Sequence, residues 1–409
     1  MGIEVSVVIV SYNRFPLNKN TLFSLKTQNF DQSRFEVILV DDASTDRTPT
    51  LRKDHYPFSF RYVRNSRNLG RARSRNVGIK MARGKVIMFL DAEAIVEPNC
   101  IERHYEYHRK YKRAVVTGGS FYKIYSYLLP GFKIWQRKSI EDFMMRNDAF
   151  KKRVQKKLQK QLSDSEFPHV IRSLTKPVKL IENEDIKNIY ALRELSEPRI
   201  YERELINKLG TKLEQCPVSW LYCIGLNHSI KMSFIQEVGG YDEYFKGWGS
   251  EDYEFGYRLT KAGACYIADE NLHIFHQEHP IQPSLKREEA RNMVYFQKKH
   301  PVMDVCIKSL QYVDQNDASF LNSAVREYYR LSEEYPGRFN LFKDSMLKML
   351  QTMPRLVSQN AWPTTDLLEK TGIRSDFKWV YRLLKERYFI VSTGKYPHLI
   401  KVFDTLVEI

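Results

Sequence analysis

Cysteine is scarce and shows no pairing pattern. The 409 residues hold five, Cys100, Cys216, Cys223, Cys265 and Cys306, an odd number with no CxxC among them. That excludes a disulfide scaffold or zinc ribbon and points to a reduced, intracellular chain. Long apolar runs are missing too, and nothing approaches the roughly 18 residues that a membrane span needs. The start, MGIEVSVVIVSYNR, enters a strand pattern directly, without the charged and apolar regions of a signal peptide. There is no GxxxxGK[ST], and no GxGxxG follows a strand, so neither a P-loop nor a dinucleotide fingerprint is expected. Acid falls short of base, with 49 Asp+Glu against 65 Lys+Arg and a formal net charge of +16. Such a surplus suits an anionic partner: nucleic acid, an acidic membrane surface or a phosphorylated substrate.

What is present is a core-forming chain, 43% hydrophobic, which rules out wholesale disorder. Continuous β-branched apolar runs at 5–10, 35–40 and 86–90, with weaker ones at 60–63 and 114–117, predict buried strands. Helical spacing fills the gaps at 16–28, 70–81 and 98–111. Strands separated by helices imply right-handed βαβ units and an open, mostly parallel α/β sheet, whose ligands bind at the carboxyl ends of the strands. From 130 to about 212 the strand pattern stops and charge dominates. There Arg146, Lys151, Lys152, Arg153, Lys156, Lys157 and Lys160 face one acid, Asp148, while Phe150, Val154, Leu158 and Leu162 recur every fourth residue. That is a basic amphipathic helix in an insertion. It suits docking on an anionic membrane or a lipid-diphosphate acceptor, or equally packing its apolar edge on the domain. Residues 1–304 read as one interrupted domain, and 305–409 as a helical C-terminal region.

Five features carry chemistry. Asp91-Ala92-Glu93 ends a strand, and two carboxylates one residue apart can hold a hard divalent cation; a turn or capping role needs the same residues. Ser11-Tyr12-Asn13-Arg14 and Asp41-Asp42-Ala43-Ser44-Thr45-Asp46 end neighbouring strands. They offer an aromatic face and carboxylates for a nucleoside, or ordinary caps. From His55 to Leu90 there are nine Arg/Lys and no acid. Arg71 and Arg75 share a helical face, where a helix N-terminus and arginine suit a diphosphate. Gly247-Trp248-Gly249-Ser250-Glu251-Asp252 sets an indole beside two acids. This suits sugar stacking and a general base, or a turn opening a helix. In His273-Ile274-Phe275-His276-Gln277-Glu278-His279 the three histidines lack cysteine partners, so one His completing a carboxylate site is favoured over zinc, and His273 reads as structural.

In this order, VSVVIVSYNR, EVILVDDASTD, NLGRARSRNVG and FLDAEA resemble the catalytic domain of family 2 glycosyltransferases with the GT-A fold. VGGYDEYFKGWGSEDYEFGYRL and FHQEHP are similar to downstream motifs of bacterial chondroitin-polymerase-type enzymes and of the galactosyltransferase C-terminal family. The resemblance spans about 3–125 and 215–300. It implies Asp91, Glu93 and His276 as ligands of Mn²⁺ or Mg²⁺. Tyr12, Asn13, Asp42, Arg75, Ala92 and Trp248 are implied to contact a UDP-sugar. Asp252 is implied as catalytic base, with Glu251 on substrate hydroxyls. The glutamate at position 93 departs from the usual second aspartate and lengthens that side chain's reach. The expected activity is inverting transfer of a hexose or N-acetylhexosamine to a hydroxyl of a glycan, lipid-linked or peptide acceptor. The expected location is the cytoplasm, with peripheral contact at an anionic membrane and no nucleic-acid partner. A catalytically silent sugar-nucleotide or glycan-binding module and a basic nucleic-acid binder are the rival classes.

Overall fold

The computed structural model describes residues 2–163, 166–200, 203–214, 216–281, 284–373 and 377–409. Contacts divide the chain into two units. One comprises Met1–Arg203, Cys223–Tyr241 and Gly263–Pro283; the other comprises Glu204–Tyr222, Asp242–Ala262 and Ser284–Ile409.

The first unit is built on β1 (Val5–Ser11), α1 (Leu17–Lys26), β2 (Phe35–Asp41), β3 (Ser59–Arg64), α2 (Arg71–Met81), β4 (Val86–Asp91), β5 (Ala94–Val96), α3 (Cys100–Lys110) and β6 (Ala114–Ile124). After β7 (Tyr127–Leu128) come α4 (Ile134–Arg146), α5 (Asp148–Leu158), β8 (Val178–Lys179), β9 (Ser196–Ile200), β10 (Asn227–Lys231) and β11 (Cys265–Gln277). The main sheet runs β3-β2-β1-β4-β10-β6-β11-β5, with β9 paired to β6. The first four strands are parallel. β10 is antiparallel to both neighbours, and β11 runs parallel to β6 but antiparallel to β5. β2 is buried at all seven positions and β1 at six, as strands covered on both faces must be. The expected mixed α/β class is what the chain adopts. The 114–117 run is only the start of an eleven-residue β6. Its continuation past Gly118-Gly119-Ser120 is held by β11, which pairs with it as far as Gln277 opposite Ile124.

The insertion packs inward. Phe150 and Val154 of α5 are buried with Phe143, Phe167, Ile171 and Leu192, against Ile95 and Phe275 of the sheet. The apolar edge of α5 is therefore spent on the core, as the packing alternative required. Much of its charge is also neutralised. Arg153 donates to both Asp185 oxygens at 2.7 and 3.0 Å, Lys157 pairs with Glu182, and Lys160 lies 3.3 Å from Glu166. These acids sit beyond the window in which the helix looked unopposed.

In the second unit Trp220 is fully buried. Its ring meets Tyr253, Tyr257 and Phe296 edge-on at 5.5, 6.3 and 5.6 Å. The C-terminal part is helical as expected. Ala318–Glu334, Asn340–Ser358, Phe377–Ser392 and Pro397–Val407 are its longer helices, and Phe342 stacks on Phe403 at 4.5 Å. Among the described residues no helix is long and apolar enough to cross a membrane.

A buried polar knot joins α3 to β10. His104 Nδ1 and His108 Nε2 each lie 2.7 Å from Ser229 Oγ, and His104 Nε2 lies 2.8 Å from Asn227 Oδ1. Burial pushes His104 down to about 4 and His108 to about 3, so both are neutral in the fold. The unfolded chain takes up protons below about pH 6.5 that the fold refuses. Stability should therefore be complete above that pH and fall as pH drops towards 4, with His104 alone contributing on the order of 3 kcal/mol. Thermal melts across pH 7.5 to 4.5 should show this decline, and His104→Gln should make it shallower without removing it, because His108 and the buried His228 are lowered too.

Candidate active site

The carboxyl ends of β1, β2 and β4 converge on one edge of the sheet, bringing the first group of expected residues together. Asn13 sits at φ +52°. Its Oδ1 accepts from Thr45 N at 2.7 Å, and its own N–H donates to Ser44 Oγ at 3.0 Å. Asp42 is buried and accepts from Asn65 Nδ2, Leu69 N and Gly70 N at 2.8, 2.8 and 2.9 Å. Both side chains thus fasten the loops around the strand ends, and Asp42 sets the entry to α2. Tyr12 is 40% exposed. It lines a cavity of about 390 Å³ with Asn13, Arg14, Lys133, His279 and Pro280. A nucleotide or sugar ring could be accommodated in a space of this size.

At the end of β4, Asp91 lies 3.8 Å from the Arg75 guanidinium. Arg75 is buried and lies over the Tyr241 ring at 5.1 Å. Ala92 is buried and its carbonyl accepts from Thr21 Oγ1 at 2.8 Å. Glu93 is 6% exposed, with Arg14 Nε at 3.2 Å and His279 Nε2 at 3.1 Å. Burial raises the Glu93 carboxyl, but the charge of Arg14 and the His279 hydrogen bond outweigh it, holding the group well below its usual range. Asp91 moves the other way, raised by burial and by the neighbouring Glu93 charge. His276 lies 3.5 Å from Glu278. Burial lowers this imidazole, yet Glu278, Glu93 and Asp91 raise it overall.

Ligand atoms of Glu93, His276 and His279 lie within 4.8 Å of one another. One buried carboxylate and two imidazoles are donors that suit a divalent transition-metal cation. Two of the three expected ligands are in this trio; Asp91 is not, and faces Arg75 beside it. His273 instead joins Glu97 at 3.4 Å in an ion cluster with Arg193, a structural setting as its sequence neighbourhood implied.

Gln277 holds the trio in place. Fully buried, it receives Asn20 Nδ2 and Ser126 Oγ on its oxygen at 2.9 and 2.7 Å. Its Nε2 donates to Leu17 O at 3.0 Å and Glu93 O at 3.1 Å, and its backbone N–H donates to Glu93 O at 2.9 Å.

The second unit carries the glycine-rich loop. Asn292 Nδ2 donates to the carbonyls of Lys246, Trp248 and Gly249 at 3.0, 3.2 and 2.8 Å, while Trp248 N–H donates to Glu288 at 3.0 Å. Gly247 and Gly249 have φ of +75° and +98°, and an added Cβ would meet Glu288 and Glu289 at 2.5 and 2.8 Å. No other residue fits there without distortion. The clamped loop leaves the Trp248 side chain 38% exposed. It then delivers Glu251 and Asp252 to the first turn of the helix Glu251–Lys261, where acids are favoured by the helix dipole. Glu251 is buried and Asp252 half-buried. Glu254 anchors the helix, accepting from Arg258 at 2.9 Å and pairing with Lys299 at 2.8 Å and His300 at 3.2 Å.

Residues 6–173 match the family model for glycosyl transferase family 2, and residues 208–279 match a model described as the N-terminal domain of galactosyltransferase. Over residues 6–173 the chain thus matches glycosyl transferase family 2. It is a transferase with a mixed α/β architecture. An uncharacterised glycosyltransferase of Bacillus subtilis (strain 168), YfnE, is 26% identical to it over 83% of this chain and 82% of that one. Validoxylamine A glucosyltransferase of Streptomyces hygroscopicus subsp. jinggangensis (strain 5008) is 27% identical over 63% of this chain, which spans 52% of that relative. Among solved structures, S. aureus TarS 1-349 in complex with UDP-GlcNAc superposes with a TM-score of 0.48 at 11% identity, over 90% of this chain and 89% of that one.

Three residues of the candidate site were not assigned from sequence. Arg14 stood inside the recognised SYNR segment and His279 inside the histidine run, so each had a signal without a role. Gln277 had none, because an amide's importance depends on what surrounds it. Gln277→Leu should leave several buried polar groups unmatched and cost on the order of 3 kcal/mol. Chemical denaturation measures this, and a drop below 1 kcal/mol would show that the amide is not the tie described.

Proposed function

We propose that the protein is a metal-dependent, inverting glycosyltransferase. It moves a hexose or N-acetylhexosamine from a UDP-sugar to a hydroxyl of a glycan, lipid-linked or similar acceptor. The observation that carries this reading is the grouping of Glu93, His276 and His279, with Asp91 and Arg75 beside it at the strand ends. A relative named as a glucosyltransferase supports a hexose.

In this reading Glu93, His276 and His279, with Asp91 beside them, hold Mn²⁺ or Mg²⁺, whose chemistry is to offset charge on a diphosphate leaving group. Arg75 adds a fixed positive charge for the same oxygens. Tyr12 and Asn13 border the nucleoside, and Asp42 serves it by fixing the loop before α2. Trp248 offers a sugar-stacking face. Asp252 accepts the proton of the acceptor hydroxyl as its oxygen attacks the anomeric carbon, in a single displacement that inverts configuration. Glu251 binds substrate hydroxyls.

Asp252→Asn should lower turnover on the order of 10²–10⁴-fold while thermal shift still reports UDP-sugar binding. Turnover near that of the parent would remove the base from the scheme. EDTA should abolish transfer and Mn²⁺ restore it. His279→Ala should raise the Mn²⁺ concentration for half-maximal activity at least tenfold, in the range that loss of a supporting or direct ligand produces. Full activity in EDTA would refute the metal role.

A further inference from the structure

The helix Phe377–Ser392 presents an unpartnered apolar stripe. Phe377, Tyr381, Leu384, Tyr388 and Val391 are 86, 61, 53, 74 and 44% exposed. Steps of four, three, four and three residues place them within an arc of about 80° on a helix of 3.6 residues per turn. Other positions secure the helix: Leu383 and Ile390 are buried on the far side, Glu386 accepts from Phe342 N at 2.8 Å, and Arg387, beside the stripe, donates to both Asp404 oxygens. The stripe is therefore neither a loose end nor part of a core.

Charge identifies the occupant. Lys385 and Lys378 are exposed along one flank of the stripe with Arg382 further round on the same side, and the helix's one acid, Glu386, is turned to the packed side. We propose that this face lies on an anionic lipid surface, with Phe377, Tyr381, Leu384 and Tyr388 entering the interface and the three basic residues meeting phosphate headgroups. Pairing with a second copy fits less well. Two heptads are short of the three or four that sustain a coiled coil, and like charges would meet with no acid on the stripe to offset them. The role differs from the one considered for α5, whose apolar edge is buried, and it is independent of the proposed reaction.

The test is sedimentation of the full chain with vesicles of phosphatidylcholine alone or with 30% phosphatidylglycerol (roughly the charge density at which basic segments bind), at low and high salt. Binding should require the anionic lipid and weaken with salt. Tyr381→Ser/Leu384→Ser/Tyr388→Ser and, separately, Lys378→Glu/Arg382→Glu/Lys385→Glu should each reduce it more than tenfold, with unchanged thermal melts and unchanged transfer to a soluble acceptor. Failure to bind anionic vesicles overturns the proposal, as does binding that neither triple variant weakens. Light scattering that shows an oligomer dissolved by the serine variant would assign the stripe to self-association instead. Loss of activity in Asp252→Asn has no bearing on this outcome, so the two readings fail separately.

Discussion

The pairing of β11 with β5 is the constraint on which the candidate site depends. It sets His276 opposite Ala94, one residue from Glu93 and some 180 positions away in the chain. Side chains alternate along a strand, so a slip of one residue would turn His276 to the other face. Gln277 locks the register, since its amide satisfies α1, the Glu93 carbonyl and the segment after β6 at once. A buried amide with every partner met is stable; the same amide in a shifted register would leave donors and acceptors stranded. The site is thus rigid for the same reason that the sheet closes correctly.

Electrostatics follow from this geometry. Lys and Arg outnumber the acids by 16, yet those around the strand ends are paired. Arg64 pairs with Asp41, Arg83 with Glu36, Arg14 with Glu93 and Arg75 with Asp91, and the basic helix of the insertion finds acids brought in from later segments. Each buried carboxylate carries a desolvation cost; at Glu93 the neighbouring cation and histidine outweigh it, whereas at Asp91 burial and the Glu93 charge prevail over Arg75. Around Glu93 the result is a carboxylate kept ionised beside two imidazoles, a ready set of donors for a divalent ion. The glycine-rich loop obeys the same economy in backbone terms, because Asn292 takes up three carbonyls that a tight turn would otherwise leave unmatched.

Much was legible beforehand. The β-branched runs announced the parallel strands because burial on both faces demands unbroken apolar sequence. Asp91 and Glu93 could be placed because a strand end fixes where local neighbours sit. The glycines around Trp248 signalled a close backbone approach. The extent of β6 was not legible, since Gly118-Gly119-Ser120 interrupt its apolar run and the rest is held by pairing with β11. Nor was the facing of α5: a period of four locates the apolar edge of a helix without saying what covers it.

Taken alone, the sequence determined the alternation of strands and helices, the family resemblance and the stations of Asp91, Glu93, Glu251 and Asp252, all matters of short range. Only the tertiary structure decided that His279 and Arg14 share Glu93, that Asp91 faces Arg75, that Gln277 ties three segments, and that α5 turns inward while the helix Phe377–Ser392 keeps its aromatic stripe exposed. These are outcomes of strand register and of which distant charge reaches a buried one, and neither quantity is written in local spacing.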